Sequence, residues 1–255
     1  MLNVLRHPAV KPVTAPPLLI AHGLFGSARN WGVIARRLAD RREVLAVDMR
    51  NHGDSPRFAT QSYADMAADL AGVIAAHGGR ADVLGHSMGG KAAMLLALTE
   101  GAMVNRLVVA DIAPVAYAHD QSGHIAALRG LDLSGLTSRA GADRRLAATV
   151  PDPALRAFFL QSLDLQSIPP RWRINLDVLE AEMPGIIGWP PVTGRFDGPT
   201  LFLSGSLSDY VLPEYRGAII ALFPRARFAK IPGAGHWLHA EKLREFEETL
   251  RVFLG

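Results

Sequence analysis

The sequence lacks cysteine altogether, so a disulfide, a thiolate nucleophile and a zinc–thiolate site are all excluded. It also lacks a long apolar run, since nothing approaches the ~20 residues that a membrane-spanning helix needs. Residues 1–12 contain Arg6, His7 and Lys11 and no long apolar core, which is unlike a signal peptide. These absences predict a cytoplasmic protein without a membrane span.

An excess of charge of one sign is missing as well. Lys and Arg number 27 and Asp and Glu number 24, which gives a formal net charge of +3. The pairs Arg36-Arg37 and Arg41-Arg42 have no aromatic residues between them and belong to no long basic run. We therefore expect a solvated helix end there and no nucleic-acid partner. No motif indicates a nicotinamide, a flavin, a phosphate group or a metal, so the sequence predicts no cofactor and no metal site.

Apolar residues, in contrast, make up 49% of the chain, and short apolar runs alternate with amphipathic stretches. This alternation predicts an α/β fold with a mostly parallel, doubly wound sheet. Ligands bind such sheets at the carboxyl ends of the strands, so four residues that follow strand ends should share one edge: His22, Asp48, Ser87 and Asp111. The predicted strands are Leu18–Ala21, Glu43–Val47, the run that ends at His86, Arg106–Ala110, Thr200–Ser204 and Arg227–Ile231.

The chemistry centres on residues 82–92, where an apolar run leads into Gly85-His86-Ser87-Met88-Gly89 and a helix-forming run follows. A strand, a sharp turn and a helix are expected. Ser87 should lie at the helix N-terminus, in a strained backbone conformation with its hydroxyl exposed. Glycine is needed on both sides because side chains there would collide with the neighbouring strand and helix. Ser87 is thus a candidate nucleophile.

The same residues allow a second interpretation. The segment Gly85-x4-Gly90-Lys91 matches a phosphate-binding P-loop except at one position, and residues 107–111 could form its magnesium-holding strand. A P-loop needs Ser or Thr after the lysine to bind Mg²⁺, and Ala92 has no hydroxyl. The nucleotide-binding alternative also leaves the motifs described below without a purpose.

The alternation of strands and helices breaks between residues 116 and 193, where helical patterns occur and no strand is predicted. Trp172 is expected to begin one of these helices. Since strands return after this stretch, we expect a helical lid, residues 116–193, inserted into a core of residues 1–115 and 194–255. The lid would form the substrate pocket over the strand ends, and a separate helical domain is the alternative. One predicted helical face contains Leu155, Phe158, Phe159 and Leu163.

A serine hydroxyl needs a base to remove its proton and an acid to orient that base. His236, in the Gly-rich loop after the last predicted strand, is the candidate base. Asp111 and Asp209 each follow an earlier strand. Both lie between the serine and the histidine in the chain, which is the nucleophile–acid–histidine order. The residues alone leave the acid open between these two, and Asp48 is expected to brace a loop.

The other histidines are assigned no catalytic role. His22 and His86 flank the predicted site and are expected to support loops. The histidines treated as surface or capping residues are His7, His77, His119, His124 and His239.

The oxyanion formed when a serine attacks an acyl group needs two N–H donors. One should be the backbone N–H of Met88, directly after the nucleophile. The other should come from the loop after the first apolar strand, at Leu24.

Four motifs, in order and at plausible spacing, resemble the α/β-hydrolase superfamily: residues 22–27, Asp48-x-Arg50-x-His52-Gly53-x-Ser55, residues 85–90, and Gly233-x-Gly235-His236. The likeness covers residues 18–114 and 199–255. A closer likeness is to the YbfF-like esterases. It is carried by Gly23-Leu24-Phe25-Gly26-Ser27…Asn30-Trp31, Arg50-Asn51-His52-Gly53, His86-Ser87-Met88-Gly89-Gly90-Lys91 and Asp111-Ile112-Ala113-Pro114.

This resemblance implies that Ser87 is the nucleophile and His236 the base, and it favours Asp111 as the acid. In that branch a serine after the next-to-last strand also contacts the histidine, and Ser208 occupies that position here. The sequence departs from the branch at the next residue, Asp209, where a more typical α/β-hydrolase has its acid.

The function implied is that of a cofactor-free serine hydrolase that cleaves small carboxylic esters or thioesters through an acyl-enzyme. An acyltransferase, a perhydrolase or a C–C hydrolase would use the same groups, and a non-catalytic ligand receptor on the same fold is a further alternative. The partner is therefore a small-molecule substrate, and the sequence carries no signal for an oligomeric state.

Overall fold

A computed structural model describes residues 1–11, 14–118 and 121–255 of the chain. His119, one of the histidines without an assigned role, and Pro12 lie outside these residues. Within the described part, no helix is both long enough and apolar enough to cross a membrane.

A seven-stranded sheet forms the centre of the described part of the chain, in the order β1-β3-β2-β4-β5-β8-β9. Strand β1 is an edge strand antiparallel to β3, and all the other pairs are parallel. The strands are β1 Val4–His7, β2 Leu18–Ala21, β3 Val44–Val47, β4 Ala81–His86, β5 Val104–Ala110, β8 Thr200–Gly205 and β9 Ala226–Ile231. The predicted α/β fold and its parallel sheet are confirmed.

Helices cover both faces of the sheet. Successive strand residues point to opposite sides, so each face presents apolar side chains for these helices to bury. In β2, for example, Leu19 belongs to one buried cluster and Leu18 to the other. The first face is packed by α2 (Tyr63–Ala76), α3 (Met88–Thr99) and α9 (Arg216–Leu222), and the second by α1 (Gly32–Leu38), α10 (Leu238–Glu241) and α11 (Leu243–Leu254). This two-sided packing is the doubly wound arrangement that the sequence predicts.

The segment between β5 and β8 is mainly helical. Its helices are α4 Ser122–Arg129, α5 Arg139–Leu146, α6 Pro153–Leu160, α7 Leu176–Ala181 and α8 Met183–Ile187. The N-termini of α5 and α6 are capped by Ser138, which accepts from the Gly141 N–H, and by Asp152, which accepts from the N–H groups of Ala154 and Leu155.

The expectation that this segment contains no strand is wrong. A short antiparallel pair joins β6 (Leu163–Asp164) to β7 (Arg171–Trp172), so Leu163 and Trp172 are strand residues. Helix α6 ends at Leu160, and the Asp164 carboxylate then accepts from the Gln166 N–H, which turns the chain back on itself. Apolar spacing alone could not distinguish this hairpin from a continued helix.

Candidate active site

Ser87 lies in the tight turn between β4 and α3. Its backbone has φ 53° and ψ −121°, a conformation that non-glycine residues rarely adopt, and it precedes the first residue of α3. The Ser87 N–H donates to the carbonyl of Ala110 at the end of β5, 3.0 Å away. The turn therefore has the strained geometry expected from the sequence.

The glycines that flank Ser87 allow the chain to approach its neighbours closely. A Cβ at Gly85 would lie 2.2 Å from the carbonyl oxygen of Gly89, and one at Gly89 would lie 2.4 Å from that of Ala21. Both distances are too short for carbon and oxygen, so a side chain at either position would displace backbone. The predicted collisions with strand and helix are confirmed.

His236 and Asp111 are brought together from two different loops. The Nδ1 atom of His236 lies 2.8 Å from Oδ2 of Asp111, and the Ser208 hydroxyl donates to the same oxygen at 2.5 Å. The other oxygen, Oδ1, accepts from the Gly205 N–H at 3.0 Å. The Asp111 side chain is fully buried, so these three donors satisfy a carboxylate that is shielded from water.

The two candidate acids differ in their surroundings. Asp111 comes directly after β5 and has φ 54°. This left-handed backbone conformation ends the strand. Asp209, in the loop after β8, is exposed. Within the described residues, the carboxylate that is hydrogen-bonded to His236 is that of Asp111.

Ser87 and His236 line the same cavity, which has a volume of about 290 Å³. The described residues contain no hydrogen bond between these two side chains. Because Nδ1 of His236 is engaged with Asp111, its other nitrogen, Nε2, is left for Ser87 or a ligand. The Tyr210 ring stacks on the imidazole with a centroid distance of 4.0 Å and an angle of 21°.

The two expected oxyanion donors, Leu24 and Met88, also line this cavity. Met88 is the first residue of α3, and the first N–H groups of a helix have no partner within the helix. Leu24 lies in a tight loop after β2, in which the Gly26 N–H donates to the Gly23 carbonyl and Phe25 has φ 64°.

Buried polar side chains hold the loops around the cavity, as expected for His22, His86 and Asp48. The Nδ1 of His22 donates to the Gly23 carbonyl and its Nε2 accepts from the Met49 N–H. The Nε2 of His86 donates to the carbonyl of His236 at 2.9 Å. The carboxylate of Asp48 accepts from the N–H groups of Ala28 and Asp54 and from the Asn3 amide.

Several cavity residues are not identifiable from sequence motifs. His124 and His239 line the cavity, although the sequence gives no reason to place them there. Further such residues are Tyr63, Tyr117, Ile186, Ile187 and Tyr210. They come from distant parts of the chain and meet only through the packing of the helices on the sheet.

Three buried histidines near the site are neutral at physiological pH. Burial, together with the neighbouring His22 for His52 and His236 for His239, lowers the pKa of both to about 3. Burial also holds the pKa of His86 well below its usual 6.5, with His239 and His236 as further causes. The charged imidazolium is disfavoured where water is excluded.

This arrangement predicts that the protein loses stability in acid. The unfolded chain takes up protons below the ordinary histidine pKa of 6.5, whereas the folded protein resists protonation down to about pH 3 at His52 and His239. The free energy of unfolding should therefore fall as pH drops through this window, by about 1.4 kcal/mol per histidine between about pH 7.5 and pH 5.5. Urea unfolding at the two pH values measures the change.

The variant His239→Leu provides the control for this prediction. Nδ1 of His239 is buried, and no group of the described residues forms a hydrogen bond with it. The ring stacks on Trp31 at 4.2 Å, so an apolar residue fits the site. The free energy of unfolding of this variant should change less with pH, because its unfolding takes up about one proton fewer. An unchanged slope would contradict the assignment of His239 as a neutral buried group.

No group of three or more His, Cys, Asp or Glu side chains is placed to hold a metal ion in residues 1–11, 14–118 and 121–255. Lys91, on which the nucleotide-binding interpretation depends, is buried and donates to the main-chain carbonyls of Ile187 and Gly188.

Comparison with known proteins identifies the fold. The sequence profile described as "Alpha/beta hydrolase family" matches residues 18–249. The chain is 40% identical over 251 residues to sn-1-specific diacylglycerol lipase ABHD11 of Mus musculus, which covers 95% of this chain and 82% of the relative. It is 38% identical over 258 residues to esterase YbfF of Escherichia coli, which covers 100% of this chain and 99% of the relative.

The solved structure of a marine microorganism esterase superposes on this chain with a TM-score of 0.93 and 35% sequence identity, over 99% of this chain and 98% of the other. The profile match spans most of the sheet and its helices, and these relatives are named as esterases or lipases. The chain is a carboxylic ester hydrolase of the alpha/beta hydrolase family and belongs to the branch that contains esterase YbfF.

Proposed function

We propose that this enzyme cleaves small carboxylic esters or thioesters through an acyl-enzyme formed on Ser87. The observation that carries the proposal is the position of Ser87 in a strained turn that opens on the same cavity as His236, whose Nδ1 is hydrogen-bonded to Asp111. A hydroxyl, an oriented imidazole and a buried carboxylate are the groups that serine hydrolysis requires.

In the proposed reaction, Nε2 of His236 removes the proton of the Ser87 hydroxyl as its oxygen attacks the acyl carbon. The carbonyl oxygen becomes an oxyanion, which the N–H groups of Leu24 and Met88 stabilise. Collapse of this intermediate breaks the bond to the alcohol or thiol, and the imidazolium of His236 supplies its proton. Water, deprotonated by His236, then attacks the acyl carbon. The imidazolium returns this proton to the Ser87 oxygen as the bond between that oxygen and the acyl carbon breaks and the acid leaves.

Asp111 is proposed as the acid of this mechanism. Its hydrogen bond keeps the proton of the neutral His236 ring on Nδ1, so that Nε2 is free to accept the serine proton, and its charge stabilises the imidazolium. Ser208 and the Gly205 N–H hold the carboxylate in place. Asp209 is the alternative acid, but it is exposed, and within the part of the chain that the structure describes the carboxylate bonded to His236 is that of Asp111.

The segment of residues 116–193 is proposed to act as a lid over a core of residues 1–115 and 194–255. Leu155, Phe158, Phe159 and Ile186 of this segment line the cavity together with Ser87. A volume of about 290 Å³ is just below the range for ligand pockets, about 300–1,000 Å³, which favours a short or medium acyl chain. A cytoplasmic location stays a prediction.

The proposal predicts covalent labelling of one residue by a fluorophosphonate. Wild-type protein should hydrolyse p-nitrophenyl esters between acetate and octanoate, and the probe should abolish this activity as it modifies Ser87, because the activated hydroxyl attacks phosphorus as it attacks an acyl carbon. Peptide mass spectrometry locates the adduct, and free acid measured as the product separates hydrolysis from acyl transfer to an added alcohol. A diacylglycerol is a further substrate to test, given the name of the mouse relative.

Two results would count against this function. Protein that is inert on every ester and unlabelled by the probe would favour a ligand receptor. An adduct on a residue other than Ser87, with loss of activity, would place the nucleophile elsewhere.

A further inference from the structure

Two side chains of the core bind the C-terminal end of α8. The hydroxyl of Tyr63, at the start of α2, donates to the carbonyl of Ile186 at 2.6 Å. The ammonium of Lys91, in α3, donates to the carbonyls of Ile187 at 2.9 Å and Gly188 at 2.5 Å. The last carbonyls of a helix have no partner within it, and a cation is favoured at this end of the helix dipole.

Lys91 is held at this place by its surroundings. Its position is one turn beyond Ser87, and its N–H donates to the Ser87 carbonyl at 3.0 Å. The side chain is 1% exposed, and its ammonium lies 4.7 Å from the centre of the Tyr117 ring. Burial lowers the pKa of Lys91 to about 7.

A buried ammonium is costly unless its donors are satisfied. Among the described residues, no carboxylate forms an ion pair with Lys91, so its compensation comes from the Ile187 and Gly188 carbonyls and the ring of Tyr117. These contacts reach the end of α8. Lys91 therefore links the core to the segment that follows β5.

The isoleucines that Tyr63 and Lys91 bind are part of the cavity wall. Ile186 and Ile187 line the cavity, as do Tyr63, Lys91 and Tyr117. Any displacement of the end of α8 therefore changes the size of the space beside Ser87.

The end of α8 gives the cavity an apolar surface. Ile186 and Ile187 line the cavity in which Ser87 and His236 lie, and branched apolar side chains suit the acyl chain of an ester. The rings of Trp237 and Phe158 also line it, and their centres are 6.0 Å apart.

We infer that Lys91, together with Tyr63, fixes the end of α8 as a wall of the acyl site and thereby sets the length of acyl chain that the enzyme accepts. This inference rests on the proposed function, because it assigns a specificity-determining role within the same site. Lys91 acts on the substrate through Ile186 and Ile187 and is a positioning residue.

The test compares kcat and KM on p-nitrophenyl esters from acetate to octanoate for wild type, Lys91→Met and Tyr63→Phe. Methionine fills similar space without donating, so the end of α8 is released. The ratio of kcat/KM for octanoate to that for acetate should rise about tenfold in Lys91→Met, mainly through a lower KM for the longer esters, because one methylene in a tight pocket is worth about 10-fold or more. Tyr63→Phe should shift the ratio in the same direction by less.

Lys230→Met provides the matched control, since Lys230 is an exposed residue of β9. Its chain-length profile should equal that of wild type. An unchanged profile in Lys91→Met would overturn the inference. A selective loss of activity on p-nitrophenyl hemisuccinate would also overturn it, because Lys91 would then bind an anionic group of the substrate.

Hydrogen exchange gives a second readout that does not depend on catalysis. In Lys91→Met, the amides of residues 185–189 should exchange faster than in wild type, while those of α2 should not change. If the end of α8 exchanges no faster in Lys91→Met than in wild type, Lys91 does not hold this segment in place. If instead wild type hydrolyses no ester, the proposed function fails and the exchange result still reports on the contact itself.

Discussion

Ser87→Ala is expected to lower kcat for ester hydrolysis by about 10⁶-fold, the loss seen when a nucleophilic serine is removed from a comparable hydrolase. The reason is that His236 and Asp111 have no function in acyl transfer without a hydroxyl to activate. Alanine keeps the Cβ of serine, so the strained turn at φ 53° and the packing against β2 should persist. Steady-state hydrolysis of p-nitrophenyl esters measures the loss.

Ser208→Ala is the matched control because it removes a hydroxyl in the same site. That hydroxyl donates to Asp111 and not to the cavity, so the loss should be much smaller than for Ser87→Ala. Ser87→Ala should unfold at nearly the same temperature as wild type, whereas Ser208→Ala should unfold at a somewhat lower temperature because the buried Asp111 carboxylate loses a donor. A stable but inactive Ser87→Ala separates catalysis from folding. Residual activity within about tenfold of wild type in Ser87→Ala would exclude Ser87 as the nucleophile, since such a substitution should cost far more.

The sheet was predictable because its strands are short, apolar and separated by amphipathic helices. Residues 18–21 are buried on both faces, and an entirely apolar run of four is what such a strand requires. The β6–β7 hairpin was not predictable in this way. Leu163 continues the apolar spacing of α6, and only the turn at Asp164 and the pairing with Trp172 decide its conformation.

The candidate site was predictable where a local backbone geometry demands particular residues. The turn at Ser87 requires Gly85 and Gly89, so the motif identifies its position without knowledge of the fold. Lys91 and Tyr63 carry no such signal. Their role depends on carbonyls about 100 residues away in the chain, which only the packing of α8 against α2 and α3 reveals.

Chain order could not separate Asp111 from Asp209, because both lie between Ser87 and His236 in the sequence. Both also follow strands at the same edge of the sheet. What separates them is burial: Asp111 is fully buried and receives hydrogen bonds from His236, Ser208 and Gly205, whereas Asp209 is exposed. A carboxylate that must hold an imidazole in one tautomer needs a fixed position and little screening by water.

Asp111→Asn is therefore expected to lower kcat about 10⁴-fold, because an amide can donate to Nδ1 of His236 and stabilise the wrong tautomer. The proton would then sit on Nε2, which could no longer accept the proton of Ser87. Asp209→Asn, the matched control, replaces an exposed carboxylate and should change kcat by less than about threefold, as expected for a change in surface charge. Initial rates on the best p-nitrophenyl ester give both values.

Urea unfolding distinguishes a catalytic from a structural effect of Asp111→Asn. It should show that the variant is folded under the assay conditions, so that its loss of kcat reports the missing carboxylate. If Asp209→Asn proves the more damaging change, the acid is Asp209. His236 would then have to turn from its bond with Asp111 toward the exposed loop after β8 during the reaction.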